Sequence, residues 1–211
     1  MLIAQRGFSL TELAIAIGIV GIMMAAAVPQ FTQMLQNGQM KTATENTIAG
    51  LSLARAEALR RNMPVNFYLV SDLTSACVLD SNATNWVVSL ANPSGLCDVA
   101  PVDASDASAP TAADPKIVQK FSGKESGKNA TTVAVLADFV TASSTATFNG
   151  LGRIAGNGIA AIDIKNSTGA CQHDATPGSM RCMRIRISTG GQARVCDPSP
   201  TVAATDPRYC F

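Results

Sequence analysis

The chain has 211 residues, 47% hydrophobic and only 5% aromatic, with 16 basic and 15 acidic side chains and a formal charge of +1. That length allows one domain with a proper core, with or without a membrane anchor, and the near-zero charge excludes a global field that would announce a nucleic-acid or acidic partner. The mean hydropathy of +0.20 is high for a soluble domain, and the excess is concentrated in residues 13–28, LAIAIGIVGIMMAAAV.

The first element in chain order is this apolar run. Residues 1–7, MLIAQRG, carry Arg6 as their single charge, and from Phe8 to Val28 the only charge is Glu12. A helix over that run rises ~1.5 Å per residue to ~31 Å, the thickness of a bilayer core. A secretory signal peptide, cut near Ala25–Ala27, leaves Glu12 without a role. A plain membrane anchor does the same, because a carboxylate in hydrocarbon costs roughly 2.5–3.5 kcal/mol and needs a partner. Cleavage between Gly7 and Phe8 supplies one. The new amine stands four residues before Glu12 on the same helical face, and in a packed assembly it can neutralise Glu12 of a neighbour.

Helical sequence is expected to continue to about Arg61. Pro29 removes one backbone hydrogen bond and should kink the helix rather than end it. Phe31, Met34, Leu35, Ile48, Leu51, Ala54, Ala58 and Leu59 recur at helical spacing and are expected to form the face packed on a sheet. Lys41, Glu45, Arg55, Arg60 and Arg61 fall mostly on the other side. Asn62, just before Pro64, reads as the C-cap.

Strand patterns follow at Val65–Val70, Trp86–Leu90, Ile117–Phe121, Thr131–Leu136, Thr145–Phe148, Ile159–Lys165, Met183–Ser188 and Ala193–Cys196. Gly150, Gly152, Gly156, Gly158, Gly190 and Gly191 punctuate them as turns. Residues 98–115, DVAPVDASDASAPTAADP, read as an exposed, mobile loop. The expected organisation is a leader at 1–7, a transmembrane helix at 8–30, its amphipathic continuation at 31–62 and a β-rich domain at 63–211.

Six cysteines lie in that domain: Cys77, Cys97, Cys171, Cys182, Cys196 and Cys210. An even count in loop-like sequence suits an oxidising compartment. Of the fifteen possible pairings, the sequential one, Cys77–Cys97, Cys171–Cys182 and Cys196–Cys210, closes only short loops, each stabilising by roughly 3 kcal/mol. The rival is a zinc site from Cys171, His173, Cys182 and Cys196, disfavoured because no CxxC pair is present. His173 is the one histidine, in a turn-like stretch without a nucleophile elbow. GLGRIAGNG lacks the Lys-Ser/Thr of a phosphate loop. No catalytic constellation emerges, and neither an enzyme nor a cofactor or metal is expected.

Arg181, Arg184, Arg186 and Arg194 cluster near the C-terminus. In an extended strand Arg184 and Arg186 share a face that could grip phosphates. The competing reading, which the balanced charge favours, is a solvated face paired with nearby Asp residues.

Arg6-Gly7-Phe8-Ser9-Leu10-Thr11-Glu12-Leu13 resembles the prepilin motif of type IV pilins and type II secretion pseudopilins. LARAEALRRN before a strand, the Phe148-Asn149-Gly150-x-Gly152-Arg153 segment and the closing MRIRISTGGQARVC resemble the GspH/FimT/FimU branch. The resemblance covers nearly the whole chain, with high specificity only in the first 30 residues. It implies an α+β pilin-like fold, a long N-terminal helix packed on a sandwich-like β domain. It implies a prepilin peptidase/methyltransferase that cleaves after Gly7 and methylates Phe8, assembly through Glu12, and a helix-bending role for Pro29 as the twenty-second mature residue. Its partners would be other major and minor pilins and the inner membrane, and its end location a pilus on the cell surface. The implied function is that of a minor type IV pilin at the pilus tip or priming complex. A minor pseudopilin of type II secretion and a DNA-binding pilin for transformation are the alternatives. Binders of the last kind carry a Gly-Arg-x-Arg element where this chain has Gly191-Gln192-Ala193-Arg194, so only the second arginine remains.

Overall fold

The computed structural model describes residues 9–210 apart from 104, 105, 107, 128, 129, 168, 173, 175 and 200, and omits the side chains of Ala26 and Pro29. Helix α1 spans Leu10–Arg61 and continues through Pro29. It stops where Asn62 adopts a left-handed conformation, φ 50, with its N–H on the carbonyls of Ala58 and Leu59. Met63 N–H then reaches Ala58 O at 3.3 Å, which satisfies the carbonyls a helix end leaves open. Pro64 cannot extend the helix beyond that point.

The packed face of α1 begins only at Met40. From there Met40, Ala43, Thr44, Thr47, Gly50, Leu51, Ala54, Glu57 and Ala58 are buried, stepping by threes and fours as one stripe. Thr44 and Thr47 satisfy their hydroxyls on the Met40 and Ala43 carbonyls, each at 2.8 Å. Gly50 allows the closest approach: a Cβ there would lie 2.9 Å from ring atoms of both Phe67 and Trp86.

Eight strands follow: β1 Val65–Val70, β2 Asn85–Ser89, β3 Ile117–Phe121, β4 Ala130–Val135, β5 Thr145–Phe148, β6 Ala161–Asn166, β7 Met183–Ile187 and β8 Ala193–Cys196. They form two four-stranded antiparallel sheets, ordered β3-β2-β1-β5 and β4-β6-β7-β8. One core joins α1 to the inner faces of both sheets through Phe67, Leu69, Phe148, Ile162, Ile164 and Ile185. Phe67, Trp86 and Phe121 form a chain of rings with centroids 5.8 and 5.6 Å apart. On the opposite face of β1–β2, Tyr68, Val70, Val87 and Ile117 pack with Cys77 and Cys97, so β1 is buried on both sides.

The cysteines form three disulfides, Cys77–Cys97, Cys171–Cys182 and Cys196–Cys210, separated by 20, 11 and 14 residues. Their thiolates are thus not at hand for the rival zinc site. His173, its remaining ligand, lies outside the described residues.

Several sequence expectations need correction. Phe31, Met34, Leu35 and Leu59 do not join the packed face; each is at least half exposed. Burial of α1 under the β domain is complete only from Met40, with a first contact at Asn37 Oδ1, which accepts Arg181 N–H at 3.0 Å, so Phe31, Met34 and Leu35 lie outside the packed face. Arg61, expected on the solvent side, has a side chain only 6% exposed. Its Nε donates to Glu57 Oε2 at 2.8 Å and its Nη1 to Asp106 O at 2.6 Å. Arg60 grips the same carboxylate at 3.0 and 2.7 Å, and the two guanidiniums hold the Glu57 carboxyl below its usual range against the cost of burial.

Among its described residues the 98–115 segment carries no helix or strand, yet those residues are tied down. Val102 N–H bonds Ile117 O at 2.7 Å, and Lys116 pairs with Asp106 at 3.1 Å and Asp114 at 2.8 Å. Strand bounds differ from the expected ones by a residue or two, as strand ends do.

Candidate functional site

The N-terminal half of α1 is the first candidate. Every large apolar side chain from Leu10 to Leu35 is at least half exposed, and none of the most apolar stretch, mean hydropathy 2.1, is buried against the rest of the chain. By length and composition this helix is able to cross a membrane. Water is a poor solvent for such a surface: each fully exposed Ile or Leu forgoes about 1.5–3 kcal/mol of burial. Such a surface favours an apolar environment over water.

Glu12 sits at the start of that helix in a reciprocal cap. Its N–H reaches Ser9 Oγ at 3.2 Å, and its Oε2 accepts from Ser9 N–H at 2.9 Å. Ser9-x-x-Glu12 is a capping box, and the motif was legible as such in the sequence. The carboxylate thus has a local structural role besides any role between chains. Gly7 and Phe8 lie outside the described residues, so the junction itself is not described.

The second candidate is the outer face of the closing hairpin. Arg184 and Arg186 project from the same side of β7, and Arg194 stands opposite Arg186. Arg184 meets Asp163 of β6 through Nε–Oδ1 at 2.6 Å and Nη2–Oδ2 at 2.9 Å. That hydrogen-bonded pair raises the Arg184 guanidinium further above its ordinary value. Arg186 donates Nη1 to Cys210 O at 3.0 Å, a carbonyl that the Cys196–Cys210 bridge brings back to the sheet. It also lies 4.5 Å from the centroid of the Phe139 ring. Burial, then repulsion from Arg184 and Arg194, pushes the Arg186 guanidinium down. Arg194 is exposed. Arg181 is exposed too, but stands outside β7, its backbone N–H on Asn37 Oδ1 of α1 at 3.0 Å.

The structure therefore brings Arg184, Arg186 and Arg194 together and leaves Arg181 apart. Asp163 and Phe139 are the partners that sequence reasoning did not name. Asp163 was findable, since β6 pairs with β7 and places it opposite Arg184. Phe139 was not: it sits in a loop at φ 57, a conformation no pattern predicts for phenylalanine.

A groove of about 630 Å³ runs between this hairpin and α1, lined by Arg55, Leu59, Arg194 and their neighbours. Among the described residues no group of three or more His, Cys, Asp or Glu side chains is arranged to hold a metal.

Residues 3–28 match the prokaryotic N-terminal methylation motif, and residues 43–191, well over half of the chain, match the family model of type II transport protein GspH. No curated relative matches the chain. Two crystal structures of the Pseudomonas aeruginosa type IV minor pilin FimU, from different crystal forms, are similar at 15% identity. One covers 78% of this chain and 97% of that one with a TM-score of 0.43; the other covers 79% and 92% with a TM-score of 0.42. The methylation motif on the uncovered apolar helix and the family match across the head agree, and the chain belongs to the GspH family of pilin-like structural subunits.

Proposed function

We propose that this chain is a minor type IV pilin. It is made with the leader 1–7, cleaved between Gly7 and Phe8 and N-methylated on Phe8 by a prepilin peptidase/methyltransferase. The helix of residues 8–30 holds it in the inner membrane with residues 63–211 in the periplasm. It then joins other pilins at the tip or priming complex of a surface fibre. The observation that carries this reading is the uncovered N-terminal half of α1, apolar on every side, which suits lipid first and a bundle of like helices afterwards. Glu12 is its single charge within that surface and the group that an amine on a neighbouring chain would neutralise.

Glu12→Gln separates the two roles of the carboxylate, because glutamine retains a capping box while losing the charge. Piliation should collapse in both Glu12→Gln and Glu12→Ala, with the protein at normal level in the membrane. Normal piliation in the glutamine variant would leave Glu12 as a helix cap only. N-terminal mass analysis should find a chain beginning with methylated Phe8.

The family match also favours a second reading, a minor pseudopilin of type II secretion. A deletion strain decides between them: loss of surface pili supports the first, and loss of exoprotein secretion with pili intact supports the second.

A further inference from the structure

Two uncovered surfaces meet beside the closing hairpin. One is the edge of β8, which among the described residues pairs only with β7; just beyond the strand, Asp197 N–H is already taken by Arg208 O at 2.8 Å. The hairpin turns through Gly191 at φ 77, with Gly191 N–H on Ser188 O at 2.8 Å and Ser188 N–H on Gln192 O at 2.9 Å. A side chain at Gly191 would be strained there and would run into the Gly152 carbonyl. Since Ser188 and Gln192 are a hydrogen-bonded pair, Arg186–Arg194 and Arg184–Cys196 are the next ones along the ladder. Ala193 and Val195 fall between them and turn their N–H and C=O groups toward the open edge. Among the described residues those groups have no hydrogen-bond partner, and Val195 is 42% exposed.

The other surface is a face of α1. Ser52, Arg55, Ala56 and Leu59 follow the steps of three and four that align on a helix, and they line the groove opposite Ile187, Ala193 and Arg194. Ala56, Leu59, Ile187 and Ala193 give it apolar patches among polar ones, and every charged residue lining it is an arginine. Arg55 is fixed in place by Nε on Gly152 O at 3.0 Å. The Arg194 side chain has no hydrogen bond or ion pair among the described residues.

We propose that this groove receives an extended acidic segment of another protein chain, which adds a fifth strand to the sheet alongside β8. Its backbone bonds Ala193 and Val195. Alternate side chains enter the groove against Ala56 and Leu59. Its carboxylates meet Arg55 and Arg194. The alternation of free donors and acceptors on β8 suits a peptide backbone. A nucleic-acid backbone offers only acceptors at its phosphates and would leave the Ala193 and Val195 carbonyls without donors. The groove lies at the C-terminal end of α1, away from Glu12, and its occupation does not depend on the assembly role proposed for that residue.

The test uses the full-length chain in detergent and a blocked synthetic heptapeptide alternating Asp and Val. Controls are a Lys–Val peptide, the Asp–Val peptide N-methylated at alternate residues, and oligothymidine. The Asp–Val peptide should slow amide exchange at Ala193 and Val195 by about tenfold or more, and the Lys–Val and N-methylated peptides should not. Val195→Pro deletes an N–H that the native ladder does not use, a position where an edge strand tolerates proline. It should weaken binding by about tenfold or more with near-UV circular dichroism unchanged. Arg194→Glu should shift preference toward the Lys–Val peptide. Equal binding of the N-methylated peptide overturns the proposal without requiring any variant to fold. So does equal binding of the two charge types, or oligothymidine displacing the peptide and binding Val195→Pro as well as the parent.

Discussion

Residues 10–35 and residues 40–61 form one unbroken helix, yet they are made for different surroundings. In the second half, buried positions repeat at helical spacing and, apart from Ile48, Leu53 and Leu59, the remaining positions are polar or small. In the first half there is no stripe, because nearly every position is apolar. A stripe selects one neighbour and one orientation, whereas an all-round apolar surface suits any apolar medium. The helix is therefore packed on the rest of the chain along only part of its length while its backbone geometry stays the same. The head carries the fold's stability, and the protruding half carries what the fold itself does not use.

Paired substitutions of one residue type can break or sharpen that contrast. Phe67 is fully buried and Phe31 is 62% exposed. Phe67→Ala should cost about 3–5 kcal/mol in the denaturant unfolding of the head, while Phe31→Ala should stay within about 0.5 kcal/mol. A comparable loss at Phe31 would mean that the head folds against the protruding half. Next in size, removing Cys77–Cys97 with a double Cys→Ala variant should cost about 3 kcal/mol by loop entropy, read as a shift in the denaturation midpoint under oxidising conditions. The loop it closes, 20 residues in separation, covers the outer face of β1–β2.

The glycines give a smaller and more pointed pair. Gly50→Ala must displace Phe67 and Trp86 and should destabilise by about 1–3 kcal/mol. A Cβ at Gly18 meets nothing within 4 Å, so Gly18→Ala should leave unfolding of the head unchanged. Loss of filament incorporation in Gly18→Ala, with the head intact, would place a neighbouring helix against that position.

The smallest effect concerns the 98–115 segment. Ser108, through its hydroxyl and then its amide, and the Lys116 ammonium hold the Asp106 carboxyl at about 2, below the ordinary 3.8. A depressed carboxyl stabilises the folded state above its unfolded value and loses that contribution as pH falls through the folded one. The segment should therefore loosen between about pH 4 and pH 2. Faster amide exchange at Val102, normalised to a core amide, reports it; an unchanged ratio would mean that Asp106 does not hold the segment.

Much of this was legible in the chain itself. Helix α1 and its end at Asn62 follow from apolar periodicity, the Asn cap and Pro64. The strands follow from alternation and glycine punctuation; the capping box in Ser9-Leu10-Thr11-Glu12 carries an equally plain signal that was not among the expectations. Where expectation and structure part, the cause is long-range. Phe31, Met34 and Leu35 share the spacing of Leu51 and Ala54, but spacing is blind to where the sheets begin. Arg61 is drawn inward by a backbone carbonyl 45 residues away. Arg184 is occupied by Asp163 because β6 and β7 are neighbours, and the groove beside β8 exists because α1 and the closing hairpin come together there.

The sequence by itself determined the membrane-length helix, the charge at its head and the family to which the chain belongs. Those are properties of short windows, set by local hydrophobicity and spacing. Only the tertiary structure decided which half of the helix is covered, which cysteines meet, which arginines are already engaged and which strand edge stays open. Each of those depends on bringing distant residues together, and the free energy of such contacts belongs to the packed arrangement and not to any one segment.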